Sequence, residues 1–104
     1  MVKMISMQEL ETLLSDGFRF TLLDVRDADE FFQGHLSGAI NIPLEELGSR
    51  TRELRKNSLI IVYCTHGSRS LMAARMLSNL GFEAMAAAGG LSSYRGRFYV
   101  DRHL

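Results

Sequence analysis

The stretch SLIIVYCTHGSRSLMAARMLSNLG, residues 58 to 81, decides the fold class. Its first part, Leu59-Ile60-Ile61-Val62, is an unbroken apolar run, which implies a strand buried on both faces, as in a parallel sheet. Its last part recurs at helical spacing. Met72, Ala73, Met76, Leu77 and Leu80 mark an apolar helix face, Arg75, Ser78 and Asn79 a polar one, and Gly81 a C-terminal stop. Between strand and helix sits a short polar loop that carries the only cysteine of the chain, Cys64.

The segments on either side repeat the alternation of strand and helix. Ser6 and Glu9 have capping-box spacing before Met7, Leu10, Leu13 and Leu14, and Gly17 ends that helix. FRFTLLDV reads as a strand. Asp27 and Glu30 repeat the capping-box spacing before a short helix through Phe31 and Phe32, closed by Gly34. A short strand is expected around Ala39 to Ile42, with Pro43 suited to the first turn of a helix that includes Leu44 and Leu47. FEAMAAA is a further strand with a weak signal, because alanine is a poor strand former. GGLSSYRG turns into a last short helix, and the tail FYVDRHL fits no pattern. Strands alternating with helices along residues 1–104 predict one domain of layered, parallel α/β architecture.

Composition narrows the function. Hydrophobic residues make up 46% and charged residues 23%, and 12 Lys plus Arg balance 12 Asp plus Glu. No bulk field therefore marks the chain for nucleic acid or an anionic membrane, and any anion recognition must be local. Cys64, His35, His66 and His103 lack the spacing of metal ligands, so neither metal nor cofactor is expected. The segment MVKMISMQELE reaches acidic residues before any apolar run of signal-peptide length, and no stretch approaches a membrane span. The expected location is the cytoplasm, where a lone thiol stays reduced.

The loop CTHGSRS has the parts of an anion cradle. In an open α/β sheet, ligands gather where strands end and helices begin. The N–H groups of a tight loop make a concave anion site, and the following helix adds its positive end. Gly67 permits the curl. Arg69 carries a guanidinium fork that reaches the rim or braces the loop. A thiol in such a field ionises below its ordinary value of about 8.5. By strand position alone, Cys64 reads equally as a small buried residue closing a core strand; the polar, glycine-containing loop favours the reactive thiolate.

Three stretches carry a resemblance. Cys-x-x-Gly-x-Arg-Ser after an apolar strand resembles the active-site loop of rhodanese-domain sulfurtransferases. LLDVRDADEFFQGHLSGAINIPLEEL is similar to that family's N-terminal signature, and GFEAMAAAGGLSSY to its closing segment. The match runs in order from about Ile5 to Tyr94, with Ser37 where the family often has proline and Tyr94 where it often has tryptophan. The resemblance implies a rhodanese-like fold, a central, mainly parallel five-stranded sheet with helices on both faces. It also implies that Cys64 thiolate takes the outer sulfur of a small anionic donor such as thiosulfate as a persulfide. A thiol or cyanide acceptor then removes it, and a protein sulfur acceptor is a further partner it implies.

In that frame Cys64 and Arg69 are the candidate catalytic residues, and Thr65, His66, Gly67, Ser68 and Ser70 the substrate-binding loop. Asp24 reads as a structural carboxylate rather than a catalytic acid. Arg26, Glu30 and His35 read as a polar brace tying the short helix to its neighbours. His66 reads as a rim residue, with a general base for Cys64 as the alternative. Ser70 reads as a thiolate donor or a helix cap. Two competing functions remain. Phosphatases and arsenate reductases of related architecture have one more residue between cysteine and arginine, a wider ring that suits a tetrahedral phosphate. A sulfur-carrier or protein-docking module would share the fold.

Overall fold

A computed structural model describes residues 2–101. Strand β5 (Ile60–Tyr63) lies at the centre of a five-stranded sheet. Strands β6 (Ala84–Ala88) and β2 (Thr21–Asp24) flank it, and β1 (Lys3–Ser6) and β4 (Ile40–Asn41) form the two edges. Every pairing in this sheet is parallel, with Val62 opposite both Leu23 and Ala86. A second, antiparallel pair joins β3 (Gly34–Leu36) to β7 (Tyr99–Asp101).

The apolar run of β5 is buried on both faces because it feeds two cores. Ile60, Val62 and Cys64 point into one, with Leu23, Leu47, Ala73, Ala74 and Leu77. That core lies under α3 (Leu44–Leu47) and α4 (Ser68–Asn79). Ile61 and Tyr63 point into the other, with Ile5, Leu10, Leu22 and Leu36, under α1 (Met7–Ser15). Helix α2 (Ala28–Gln33) leads directly into β3. The predicted α/β layers with helices on both faces are those of the structure.

Local chemistry explains most boundaries. Glu9 N–H donates to Ser6 Oγ and Ser6 N–H to Glu9 Oε1, so the capping box of α1 is complete. Gly17, at φ 70°, follows the Asp16 C-cap in the left-handed region. Pro43 stands at the N-cap of α3, one position before the first turn expected for it.

The structure differs from the sequence-based expectation in several places. FRFTLLDV contributes only Thr21–Asp24 to the sheet, and Phe18 is exposed. Strands β1, β3 and β7 were not foreseen. In GGLSSYRG the expected last short helix is one 3₁₀ turn, Leu91–Ser93. The buried face of α4 is Ser70, Ala73, Ala74 and Leu77, whereas Met72 is 58% and Leu80 46% exposed. Small side chains let α4 lie close on β6, itself built of alanines, and the bulkier residues turn outward. Part of the unassigned tail is β7; residues 102–104, like Met1, lie outside the described residues. Among the described residues no helix is long and apolar enough to cross a membrane.

Candidate active site

Cys64 follows directly on the C-terminal end of β5, where the chain leaves the sheet. The turn that follows is held from outside. Leu91 N–H donates to the Cys64 carbonyl and Ser92 N–H to the Thr65 carbonyl, each at 2.9 Å. The Gly89-Gly90 turn makes this approach possible. Gly90 has φ 60°, and a Cβ there would overlap the carbonyl oxygens of both Cys64 and Thr65. Gly67, at φ 110°, is the N-cap of α4 and lies against the Gly89 backbone.

This curl aims backbone N–H groups at sulfur. Gly67 N–H lies 3.1 Å and Ser70 N–H 3.3 Å from Cys64 Sγ. Ser70 is in the first turn of α4, whose N–H groups have no intrahelical acceptor. Cys64 is 1% exposed. Burial pushes its thiol up, but the Ser70 hydroxyl and the N–H groups of Ser70, Gly67 and His66 outweigh burial and hold it below the ordinary value. The Ser70 hydroxyl has one proton to give, and its oxygen also lies 3.0 Å from the Gly67 carbonyl. A hydrogen bond to a charged acceptor is the stronger, so ionisation of Cys64 draws that proton to sulfur.

The arginine of the loop faces elsewhere. Arg69 Nη1 donates to Glu30 Oε1 at 3.0 Å, and Nη2 to Glu30 Oε2 and Thr65 Oγ1 at 3.3 Å each. Thr65 Oγ1 gives its own proton to Glu30 Oε2 at 3.2 Å. Glu30 is also fixed from α2, where its Oε1 accepts the Asp27 N–H at 3.0 Å. The hydrogen bonds from Arg69 hold the Glu30 carboxyl below its usual range, and those to Glu30 push Arg69 up.

The other candidate residues fall in separate places. Asp24 is fully buried, and its carboxylate accepts the Arg26 N–H and the Arg26 Nε and Nη2 groups at 2.6 to 3.0 Å. Arg26 Nη2 also donates to the Gly34 carbonyl at 2.7 Å, tying β2 to β3. Tyr63, with Asp24 close by, accepts the Leu36 N–H at 3.0 Å, and burial first, then Asp24, pushes its hydroxyl up. His35 stacks on Phe31 and meets the Phe31 carbonyl through Nδ1 at 2.9 Å. Arg26, Glu30 and His35 thus form three local ties, and the one made by Glu30 runs to the cysteine loop. His66 is exposed, with Nδ1 3.1 Å from Ser92 Oγ. Ser68 is exposed at the first position of α4.

A cleft of about 540 Å³ opens beside the loop, lined by Thr65, Arg26, Ser92, Tyr94 and Arg95 among others. A larger one, of about 670 Å³, is lined by residues such as Thr51, Arg52, Lys56 and Phe82 and includes none of the loop. The sequence reading missed the Leu91 and Ser92 N–H groups that hold the loop. Their signal was the Gly-Gly pair, since adjacent glycines mark a close backbone approach.

Comparison with known proteins identifies the family and fold. The model of the rhodanese-like domain matches residues 6–97. The putative sulfur carrier protein YrkF of Bacillus subtilis is 32% identical over 94 residues, 89% of this chain and 51% of its own length. The chain thus spans about half of that relative. The thiosulfate sulfurtransferase PspE of Escherichia coli is 42% identical over 71 residues, 66% of this chain and 68% of its own. The crystal structure of a rhodanese-related protein from Thermoplasma volcanium superposes with a TM-score of 0.80 at 33% identity, covering 88% of each chain. With most of its length matched by the family model, the chain belongs to the rhodanese-like domain family.

Proposed function

We propose that this protein is a sulfurtransferase that carries sulfane sulfur on Cys64. The observation that supports it most directly is the pair of N–H groups, from Gly67 and Ser70, aimed at Cys64 Sγ. Donors fixed before reaction stabilise a developing anion without reorganising. Cys64 thiolate attacks the outer sulfur of a donor such as thiosulfate. The sulfur–sulfur bond of the donor breaks, sulfite leaves with both its charges, and Cys64–S–S⁻ remains. A thiol or cyanide then attacks the outer sulfur and restores the thiolate. The N–H groups at the start of α4 would hold the terminal sulfur, with Thr65, His66 and Ser68 around the rim. Similarity to a protein named as a sulfur carrier supports a protein acceptor as well as small ones.

Incubation with thiosulfate should add one sulfur, about 32 Da, to the intact protein, and cyanide should remove it as thiocyanate. Cys64→Ser should abolish both steps. Thiocyanate formation by the serine variant would refute the assignment.

A further inference from the structure

We infer that Glu30 sets donor preference by holding Arg69 away from the sulfur cradle, so that the site favours persulfide donors over dianions such as thiosulfate. This rests on the sulfurtransferase reading and adds to it a substrate class. Among the described residues, the hydrogen bonds to Cys64 Sγ come from backbone N–H groups and Ser70, and none comes from a guanidinium. Yet Arg69 is near enough for the Cys64 charge to act on it. Its fork is engaged by both oxygens of Glu30 and by Thr65. Glu30 is itself held at the start of α2, where the Oε1 that accepts from Arg69 Nη1 also accepts the Asp27 N–H.

Two donor classes feel this differently. Both present a terminal sulfur to the same amides. With thiosulfate, the sulfonate end must rest at the rim, where the charge of Arg69 is already matched by the Glu30 carboxylate. A persulfide R–S–SH without other charges has no such end. Its transfer is balanced without an oxidant: Cys64–S⁻ bonds the outer sulfur, the S–S bond of the donor breaks, and R–S⁻ leaves while the proton stays on the new Cys64 persulfide.

The test compares wild type, Glu30→Gln and Glu30→Gln/Arg69→Ala in the full chain. The probes are thiosulfate and the persulfide of N-acetylcysteine methyl ester, with sulfur added to Cys64 followed by quenched mass spectrometry. Glutamine keeps an oxygen for the Asp27 N–H but releases the charge of Arg69. Glu30→Gln should raise the second-order rate with thiosulfate about tenfold, the worth of one charge-assisted hydrogen bond. The persulfide rate should stay unchanged in Glu30→Gln, and the double variant should lose the thiosulfate gain. Equal losses with both donors would make Glu30 a mere brace and overturn the inference. A gain that survives without Arg69 would overturn it too. If wild type gains sulfur from both donors and their ratio does not move in Glu30→Gln, only the donor preference fails. If wild type gains sulfur from neither, sulfur transfer itself fails.

Discussion

Gly90 and the carbonyl of Cys64 are in such close contact that no side chain fits between them. Its φ of 60° lies in the left-handed region, and a Cβ would overlap the Cys64 and Thr65 carbonyl oxygens. Gly90→Ala should therefore cost roughly 1–3 kcal/mol from backbone strain, with the clash added to it. It should also push the loop off its Leu91 and Ser92 donors. A shift of about 1 Å in positioned groups can cost a hundredfold in rate, so persulfide formation should fall steeply even in the folded fraction. Melting temperature and sulfur uptake, measured on the same sample, check both parts.

The thiol of Cys64 should titrate below the ordinary value of about 8.5. The pH dependence of its alkylation rate measures this directly. Ser70→Ala removes the hydroxyl but keeps the N–H group, and should raise the midpoint. A depressed acid also makes stability depend on pH. Between the folded value and the ordinary thiol value of about 8.5, the unfolded chain holds a proton that the native thiolate lacks, so stability should rise with pH across that window and be lost as pH falls through the folded value. Cys64→Ser should flatten this rise in urea denaturation curves.

Asp24 is fully buried with Arg26 as its partner. Asp24→Ala would leave the guanidinium buried and unpaired, which typically costs about 3–5 kcal/mol. Replacing both, as in Asp24→Leu/Arg26→Met, removes the stranded charge and should recover part of the loss. Equilibrium denaturation of the two variants makes the comparison.

Ring size separates sulfur from phosphate. The protein should hydrolyse an aryl phosphate far more slowly than it takes sulfur from thiosulfate, because the span from Cys64 to Arg69 encloses one atom better than a tetrahedral group. Inserting one glycine after Gly67 should carry the N–H donors off Cys64 Sγ and cost about a hundredfold in sulfur uptake. Comparable turnover of both substrates by the unmodified chain would overturn the sulfur reading.

The central strand and the cysteine loop are legible in the sequence because their signals are local. Four consecutive apolar residues, a glycine and two capping boxes sit within a few positions of what they specify. The edge strand β1 is not, since only Ile5 of Lys3–Ser6 is buried and its partner is the alanine run of β6. Poor strand propensity in Ala84–Ala88 is overridden by ladders on both sides and by close contact with α4. The β3–β7 pair joins Gly34 to Asp101, a contact that no short window reveals. At the site, Cys64 and Glu30 could be picked out separately. Their connection through Arg69 and Thr65 depends on how α2 lies against the loop, which is set by tertiary packing.

At 1% exposure, the sulfur atom of Cys64 is nearly sealed in the fold. A second sulfur bonded to it would stand about 2 Å further out. Accessibility would then depend on loading. In the empty state, burial should shield the thiolate from bulky disulfides and oxidants and favour a slender donor tip. In a loaded state the outer atom would meet whatever approaches the rim, so the cargo would be open to exchange while the atom carrying it stayed protected.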